Sequence, residues 1–344
     1  MNARFEYTPL TFKRPAGTSR GELTFKHSWL FFIEENGITG TGECSIIPGL
    51  SPDFESLQQY EAVLTETVDR INSGIITPEN VAHILYNQPS VLFGIECAFL
   101  DLQNGGKQVY FDNSFSQGHS SIPINGLIWM GSEAFMQEQI EQKLAAGFST
   151  IKMKIGAIDF ETEFKLLKNI RSHYNSDTIT LRVDANGAFS PNEAPHLLQR
   201  LAELEIHSIE QPIKAGQWEA MQELCHITPT PIALDEELIG IHSPEEKNQL
   251  LSTITPQFII LKPSLHGGIS GTQEWIKSAE HHAIPWWITS ALESNIGLKA
   301  ICELTAEYTN PLPQGLGTGS LYVTNFKSDL TVENGTIFLN SQLV

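Results

Sequence analysis

The stretch LRVDAN at residues 181–186 closes a short apolar run with an acidic residue. Two similar stretches follow it, SIEQP at residues 208–212 and IALDE at residues 232–236. The three acids are Asp184, Glu210 and Asp235. They are 26 and 25 positions apart, and a (β/α)₈ barrel uses about 25 to 31 residues for each strand-plus-helix unit. The spacing therefore predicts one carboxylate at the carboxyl end of three successive barrel strands, where barrel enzymes have their active sites.

Lysine side chains flank the three acids on the neighbouring strands. In the stretch TIKMKIG, Lys152 and Lys154 share one face of a predicted strand because side chains alternate along it. The apolar run FIIL ends in Lys262, which follows Asp235 by 27 residues. We therefore expect lysine ammonium groups to approach the carboxylates from two opposed sides of the barrel.

Three carboxylates that converge at one barrel rim repel one another unless a cation neutralises them. Oxygen ligands with open coordination positions suit Mg²⁺ or Mn²⁺, so the three acids are predicted to bind one divalent cation. Asn186 and Gln211 follow two of them and either support the ligands or have a structural role. Two alternatives stay open: a shift of one residue replaces Asp235 by Glu236, and carboxylates at strand ends also serve as caps.

The order Lys-x-Lys, Asp, Glu, Asp, Lys on successive strands resembles the enolase superfamily, in its muconate-lactonising subgroup, over nearly the whole chain. Three further stretches are similar to forms found in one branch of that family: GTGECS at 40–45, SALESNIGL at 290–298 and QGLGTG at 314–319. The resemblance implies a metal-dependent lyase that removes a proton α to a carboxylate. The member with the most similar motifs converts 2-succinyl-6-hydroxy-2,4-cyclohexadiene-1-carboxylate to o-succinylbenzoate and water in menaquinone biosynthesis, through an enediolate whose charge the metal neutralises.

The resemblance also implies a catalytic role for each lysine. Lys154 would be the base and, once protonated, the acid that expels the hydroxyl group. Lys262 would present its cation to the other face of the ring, and Lys152 would hold a carboxylate oxygen. A lysine base must be neutral, although its reference pKa is about 10.4. We expect the Lys152 ammonium and the metal to lower the pKa of Lys154, because nearby positive charges disfavour its charged form.

Five residues are candidates for substrate binding. Arg182 shares the inward face of its strand with Asp184, a predicted metal ligand. We expect it to pair with that ligand or to bind a substrate carboxylate, and a structural role is the alternative. By resemblance, backbone N–H groups around Gly317 hold a substrate carboxylate, to which Ser290 and Ser294 would also donate. Arg20 belongs to a loop of the kind that closes over the barrel mouth in this family.

Two other functions stay open. An N-succinylamino acid racemase, or another epimerase or cycloisomerase on this scaffold, would use lysines on opposite faces of the substrate, one removing and one returning the proton. Dipeptide epimerases of the family typically carry Asp-x-Asp on strand eight, where this chain has GLGTG at residues 315–319. A barrel that only binds a metal–carboxylate ligand is the alternative outside catalysis, but mere binding does not need a neutral amine.

The predicted fold is α/β, a modified (β/α)₈ barrel of the (β/α)₇β type with an N-terminal α+β capping domain. β-rich patterns come first, with Glu35-Asn36-Gly37 as a hairpin turn, and helical patterns follow. Two cap loops, residues 17–20 and 46–52, are expected to close over the barrel mouth by resemblance. The predicted domains are the cap at 1–115, the barrel at 116–320 and a C-terminal segment at 321–344 that returns to the cap.

Strand and helix patterns alternate from residue 122 onward, which indicates a parallel sheet closed into a barrel. Helical patterns separate eight short apolar runs that are typical of barrel strands. The predicted strands are 122–125, 150–155, 178–184, 207–210, 232–235, 258–262, 286–290 and 314–316.

The composition of the 344 residues is that of a globular protein, with 41% apolar and 18% charged residues. A formal net charge of −19 argues against nucleic acid or an anionic membrane surface as a partner, but not against a small anionic carboxylate substrate. Four scattered cysteines and no apolar leader indicate reduced thiols and a cytoplasmic location. Nicotinamide, zinc-protease and serine-hydrolase motifs are absent from the sequence, and a homo-oligomer is compatible with it.

Overall fold

Four antiparallel strands begin the chain and form the sheet of the capping domain. They are β1 (Asn2–Tyr7), β2 (Leu10–Thr18), β3 (Gly21–Glu35) and β4 (Ile38–Ile46). The computed structural model describes residues 1–18 and 21–340, with the backbone alone at residues 17 and 18. β3 pairs with each of the other three strands. Asn36 and Gly37 have positive φ angles of 52° and 78°, as a tight hairpin turn requires, so the predicted turn is confirmed.

Three helices pack on this sheet. They are α1 (Leu57–Asn72), α2 (Val81–Ile84) and α3 (Pro89–Gln103). α3 approaches β4 closely because glycines meet there: a Cβ added to Gly42 would lie 1.9 Å from the carbonyl oxygen of Gly94. Only glycine permits this distance. The large side chains of Trp29, Phe31 and Tyr60 are buried between the sheet and the helices and form the core of the cap.

Seven parallel strands follow one another around the barrel in chain order. They are β6 (Gly126–Ile128), β7 (Thr150–Lys154), β8 (Thr180–Asp184), β9 (Ser208–Glu210), β10 (Ile232–Leu234), β11 (Phe258–Leu261) and β12 (Trp286–Ile288). The predicted first strand at 122–125 is only partly correct, because Ile124 and Asn125 pair with Gln314 where the barrel closes but the preceding residues do not join the barrel. Residues 121–123 form β5 (Ser121–Pro123), an antiparallel strand outside the barrel sheet, and the first barrel strand begins at Gly126. A run of apolar residues does not reveal which of two neighbouring sheets it joins.

Helices alternate with these strands. They are α4 (Glu133–Ala145), α5 (Phe160–His173), α6 (Ala194–Ala202), α7 (Trp218–Ile227), α8 (Pro244–Ile254), α9 (Gly268–His281) and α10 (Asn295–Thr305). Leu198 and Leu201 of α6 and Leu250 of α8 are fully buried and join the core formed with the strands. This helix core covers the outside of the barrel sheet, so the strand ends are left to form the site.

Residues 314 and 315 close the barrel between its first and last strands. Gln314 forms a parallel bridge with Ile124, and Gly315 forms one with Thr289. The side chain of Gln314 also accepts a hydrogen bond from the backbone N–H of Ile288 at 2.7 Å. The eighth strand is thus reduced to two residues, which lie at the predicted position. The predicted fold, a modified barrel with an N-terminal cap, is confirmed.

The C-terminal segment contacts both parts of the molecule. β13 (Leu330–Glu333) and β14 (Thr336–Leu339) form a hairpin, and β14 pairs with β5. Before that hairpin, the N–H of Val323 donates to Thr11 at 2.9 Å, and Tyr322 forms a bridge with Phe12 of β2. The predicted domain boundaries at 115 and 320 stay predictions.

All four cysteines are buried free thiols, as expected from their scattered positions. In the part of the chain that the structure describes, no helix has both the length and the apolar character needed to span a bilayer.

Candidate active site

The ends of the central barrel strands bring lysines and carboxylates together. In the parallel register, Lys154 on β7 lies beside Asp184 on β8, which lies beside Glu210 on β9. Asp235 follows β10 directly, and Lys262 follows β11. Neighbours in a parallel register present their side chains on the same face. The strand spacing in the sequence therefore predicted the correct barrel edge for all five residues.

Both lysines of the Lys-x-Lys pair bind the same carboxylate oxygen. Lys152 Nζ lies 3.0 Å from Asp184 Oδ2 and 2.5 Å from Glu210 Oε2. Lys154 Nζ lies 2.9 Å from the same Asp184 oxygen and donates to Asn186 Oδ1 at 2.7 Å. A spacing of two residues on one strand face gives this geometry, because both side chains point into the barrel mouth.

Lys262 approaches the carboxylates from a different strand. Its ammonium group donates to Asp235 Oδ2, and Nζ lies 4.0 Å from Glu210 Oε1. His266 Nδ1 accepts the backbone N–H of Lys262 at 2.9 Å. Burial lowers the pKa of His266 to about 3, so this imidazole is neutral near pH 7 and adds no further charge.

Asn186, two residues after Asp184, and Gln211, directly after Glu210, have positive φ angles of 44° and 38°, an uncommon conformation for residues other than glycine. Asn186 Nδ2 donates to Glu236 Oε1 at 3.0 Å. Gln211 Oε1 accepts the backbone N–H of Asp235 at 3.2 Å. Of the two neighbouring acids, Asp235 accepts a hydrogen bond from Lys262, and Glu236 accepts one from the Asn186 amide.

The charges of the protein alone keep two lysines ionised. Burial lowers the pKa of Lys152, but Asp184 and Glu210 outweigh burial and the net shift is upward. The same balance raises the pKa of Lys262. Burial works against the charged form of Asp184, yet the neighbouring ammonium groups hold its pKa well below the usual range, whereas burial and Asp184 raise the pKa of Glu210. The positive neighbour expected beside the predicted base is therefore present, at Lys152.

Two buried carboxylate oxygens bear on the predicted metal site. Within the described residues, Glu210 Oε1 and Asp235 Oδ1 have no hydrogen-bond partner. In the same part of the chain, no group of three or more His, Cys, Asp or Glu side chains is arranged to hold a metal ion, and lysine ammonium groups lie between the carboxylates instead. A buried acceptor without a partner is costly, and a set of oxygen ligands suits Mg²⁺ or Mn²⁺. The donor chemistry therefore fits a divalent cation.

One pocket at this end of the barrel contains the three lysines with Asp184 and Glu210. Ser290 and Gly317, both predicted to bind substrate, also line it. Much of the remaining wall is apolar. Of its members, only the cap loop at residues 46–52 is predicted from the sequence to lie near the barrel mouth. The apolar lining residues are Leu23, Ile47, Pro48, Leu50, Leu127, Trp129, Ala291 and Leu292. Polar lining residues that are not among the site residues predicted from the sequence are Glu22, Asn125, Thr289 and Thr318.

Two predicted substrate contacts are not in the pocket lining. Ser294 caps α10 by accepting the N–H of Ile296 at 3.1 Å, and it is fully buried. Arg182 donates to the carbonyl of Pro313 at 2.7 Å, and its guanidinium lies 4.0 Å from the ring centre of Trp287 inside the barrel. Both side chains make structural contacts, because an inward-facing side chain can lie below the rim, and their role in substrate binding stays a prediction. Arg20 lies outside the described residues.

A family model described as "Enolase C-terminal domain-like" matches residues 135–342. The o-succinylbenzoate synthase of Desulfotalea psychrophila is 45% identical over 98% of both chains. The crystal structure of MenC from Desulfotalea psychrophila LSv54 has a TM-score of 0.86 at 42% identity, covering 98% of this chain and 99% of that one.

A more distant structure shares the fold. The dipeptide epimerase of Enterococcus faecalis V583, complexed with Mg and the dipeptide L-Leu-L-Tyr, has a TM-score of 0.82 at 22% identity, with coverage of 98% and 96%. The family match covers more than half of the chain, and the first relative covers nearly all of it. The chain therefore belongs to the enolase superfamily.

Proposed function

We propose that this chain is an enzyme that dehydrates 2-succinyl-6-hydroxy-2,4-cyclohexadiene-1-carboxylate to o-succinylbenzoate and water, the reaction of an o-succinylbenzoate synthase in menaquinone biosynthesis. The relative with that name is 45% identical over 98% of this chain. The observation that carries the proposal is one pocket lined by Lys152, Lys154 and Lys262 together with Asp184, Glu210 and an apolar wall.

Lys154 is the proposed base. Its Nζ takes the proton from the ring carbon that carries the carboxylate, and the electron pair of that C–H bond forms the new ring double bond. The C–O bond of the neighbouring hydroxyl group breaks, and Lys154 returns its proton to that oxygen, which leaves as water. No oxidant or further reactant is needed, because the product ring becomes aromatic by the loss of water alone. Asn186 and Asp184 hold Nζ in position.

Lys152 and Lys262 remain charged in this proposal. Lys152 lies beside the base on the same oxygen of Asp184 and holds a carboxylate oxygen of the substrate. Lys262 extends from β11 on another side of the pocket and presents its cation to the opposite face of the ring. Upward shifts in the pKa of Lys152 and Lys262 support these roles, because neither group then donates its proton easily.

A divalent cation completes the proposed site. Asp184, Glu210 and Asp235 would hold Mg²⁺ or Mn²⁺, for which two of them carry buried oxygens without hydrogen-bond partners in the described structure. When bound, the ion supplies positive charge for the carboxylate oxygens on which negative charge develops during proton removal. Binding requires that the lysine ammonium groups release part of their contacts to these carboxylates.

The pocket walls fit the two ends of the proposed substrate. Trp129 and Leu50 offer apolar surface to the ring, and Ser290 and Thr318, whose hydroxyl oxygens lie 2.6 Å apart, offer donors to a carboxylate. The N–H groups near Gly317 would add to that set. A cytoplasmic location and a homo-oligomer remain predictions.

Ultraviolet detection of the aromatic product tests the proposal directly. The purified chain with Mg²⁺ and the cyclohexadiene substrate should produce o-succinylbenzoate with a catalytic rate far above that of the substrate alone. Absence of turnover with either Mg²⁺ or Mn²⁺ would contradict the proposed function while leaving the fold unaffected.

Racemisation of an N-succinylamino acid is the second candidate. Lysines at two sides of the pocket favour it, because one could remove and the other return the α-proton. The segment at residues 315–319 counts against a dipeptide epimerase, since Gly315, Gly317 and Thr318 line the pocket where such enzymes typically have two aspartates. A racemase would incorporate deuterium from D₂O into both enantiomers of N-succinylphenylalanine.

A further inference from the structure

Lys26 is a buried lysine on the cap strand β3 that faces the barrel. Only 2% of it is exposed, whereas its neighbour Phe25 is 45% exposed. This order is the reverse of the usual one, in which the aromatic side chain is buried and the lysine is solvated. A buried ammonium group requires hydrogen-bond acceptors, so its contacts identify what it does.

The ammonium group of Lys26 reaches across to the barrel rim. It donates to the backbone carbonyl of Ala291, 265 positions later in the chain. Ala291 belongs to the wall of the substrate pocket, together with Ser290 and Leu292. Burial lowers the pKa of Lys26, and the nearby carboxylates of Glu293 and Glu43 oppose that shift without cancelling it. A cap residue is therefore attached to the wall from behind, outside the pocket lining.

The wall has a conformation that needs such support. Leu292 has a positive φ of 65°, a strained backbone conformation for a residue with a side chain. The hydroxyl group of Tyr322 donates to the Leu292 carbonyl at 2.5 Å. Two successive carbonyls are thus held from behind by buried side chains from the cap and from the C-terminal segment. Both contacts fix the bend.

The Lys26 contact also fixes the direction of a backbone donor. In a trans peptide the C=O and N–H groups point in opposite directions. Because the carbonyl of Ala291 points to Lys26, the N–H of Leu292 points away from Lys26, and it donates to Ser290 Oγ, a pocket-lining hydroxyl, at 3.4 Å. An ammonium group on the carbonyl also strengthens the N–H of the same peptide as a donor, since bonded peptide groups polarise one another.

We propose that Lys26 is a positioning residue for substrate binding: it holds and polarises the Ala291–Leu292 peptide, so that the pocket wall beside Ser290 presents its donors to the anionic substrate. This inference rests on the proposed function, because dehydration provides its readout. Lys26 does not touch the substrate and acts through the peptide. It affects binding and not proton transfer, since Lys154 lies on β7 in another wall.

Lys26→Met tests the proposal because it removes the ammonium group and keeps an unbranched apolar stem. The KM of Lys26→Met for the cyclohexadiene substrate should rise about tenfold, with kcat within about twofold of the wild-type value. Ser290→Ala should raise KM as well. The double variant should lose less kcat/KM than the product of the two single losses, because both residues act on one wall. A merely structural lysine would lower stability without this split between KM and kcat.

Lys247→Met is the matched control. Lys247 is also a buried lysine that donates to a backbone carbonyl, that of Gly271 at 3.4 Å, but it lies between α8 and α9 and not in the pocket. The KM of Lys247→Met for the cyclohexadiene substrate should stay within about twofold of the wild-type value. If Lys247→Met raised KM as much as Lys26→Met, the effect would be a general loss of packing and the proposal would be wrong.

Tyr322→Phe provides a second variant in case Lys26→Met does not fold. It removes one hydroxyl from the adjacent carbonyl, and its KM should rise about threefold or more at nearly constant kcat. If the wild type turns over the substrate and the folded Lys26→Met and Tyr322→Phe variants have an unchanged KM, the role of Lys26 is wrong while the proposed function stands. No turnover by the wild type would overturn the proposed function and this inference with it.

Discussion

Glu43 on the cap sheet accepts hydrogen bonds from both the backbone N–H and the hydroxyl group of Ser294, which lies 251 positions later in the chain. The same carboxylate accepts the N–H of Gly297 at 3.0 Å. A cap residue therefore binds the first turn of the barrel helix α10, where free N–H groups and the helix dipole favour an anion.

Glu43→Gln should lower the free energy of unfolding by about 2 kcal/mol, because hydrogen bonds to a charged group are lost and an amide N–H₂ then faces N–H donors. Urea unfolding followed by circular dichroism measures the change. Glu34→Gln, at an exposed position of the same sheet, is the control and should stay within about 0.5 kcal/mol of the wild type. Equal effects at the two positions would contradict the role of Glu43.

Lys154→Ala should abolish dehydration while the fold and metal binding persist. General acid–base groups contribute about 10²- to 10⁴-fold to a rate, and here one residue has both roles. Stopped-flow or steady-state ultraviolet assays measure the loss, with the exposed Lys168→Ala as the control. A residual rate above a few per cent of the wild type would mean that another residue is the base.

Removal of divalent cations should abolish turnover, and Mg²⁺ or Mn²⁺ should restore it. Added Mg²⁺ should also stabilise the folded chain by about 2.7 kcal/mol at 100 times its Kd, because the ion binds the folded state only. Thermal unfolding with and without the ion measures this independently of activity. Asp235→Asn should weaken the stabilisation. Full activity after exhaustive EDTA treatment would rule out the metal.

Lys262→Arg should distinguish the two candidate reactions. Arginine keeps the positive charge but does not titrate near neutral pH, so it can stabilise charge and cannot exchange protons with a substrate. Dehydration should be retained in part, and any racemisation should disappear. Deuterium incorporation into N-succinylphenylalanine in D₂O provides the measurement. Racemisation by the wild type with a larger kcat/KM than dehydration would assign the chain to the second candidate function.

The stability of the protein should fall as pH rises from about 5 to about 8, in part because of Glu96. This carboxyl on α3 accepts the N–H of Ile269 at the start of α9, and burial raises its pKa to about 7 from an ordinary value of 4.5. The folded state therefore binds more protons at Glu96 than the unfolded state between those values, so the contribution of Glu96 to stability is fully present below pH 4.5 and is lost as pH rises through about 7.

Glu96→Gln should flatten this dependence, by an amount of up to about 3 kcal/mol between pH 5 and pH 8. The free energy of unfolding at each pH gives the slope, and Glu280→Gln at an exposed position of α9 is the control. An unchanged slope in Glu96→Gln would show that this carboxyl is not the group that titrates.

The position of the lysines and acids at one edge of the barrel could be predicted because their signal is local. An apolar run ending in a charged residue, repeated at the period of one strand and one helix, gives both the strand and its end. Arg182 shows the limit of this rule, since alternation gives the face of a side chain but not its depth in the barrel. The antiparallel role of residues 121–123 likewise depends on a partner near the other end of the chain.

The cap contacts could not be predicted from sequence patterns. Lys26 is buried and Phe25 is exposed, although hydrophobicity alone predicts the opposite. Their positions follow from a carbonyl of Ala291 that only the complete fold brings close. Similarly, Ser294 looked like a substrate donor at a strand end, whereas its hydroxyl group is used by Glu43.

The contacts of Tyr322 affect the order in which the parts of the protein can form during synthesis. The cap strands lie within residues 2–46 and leave the ribosome early, but Val323 and Tyr322 bind β2 and Tyr322 also binds the Leu292 carbonyl. Early cap structure therefore forms with part of its β2 edge unpaired, and the bend at Leu292 lacks one of its supports until residue 322 has emerged. During this interval the nascent chain exposes a strand edge, which is the kind of surface that chaperones shield from aggregation.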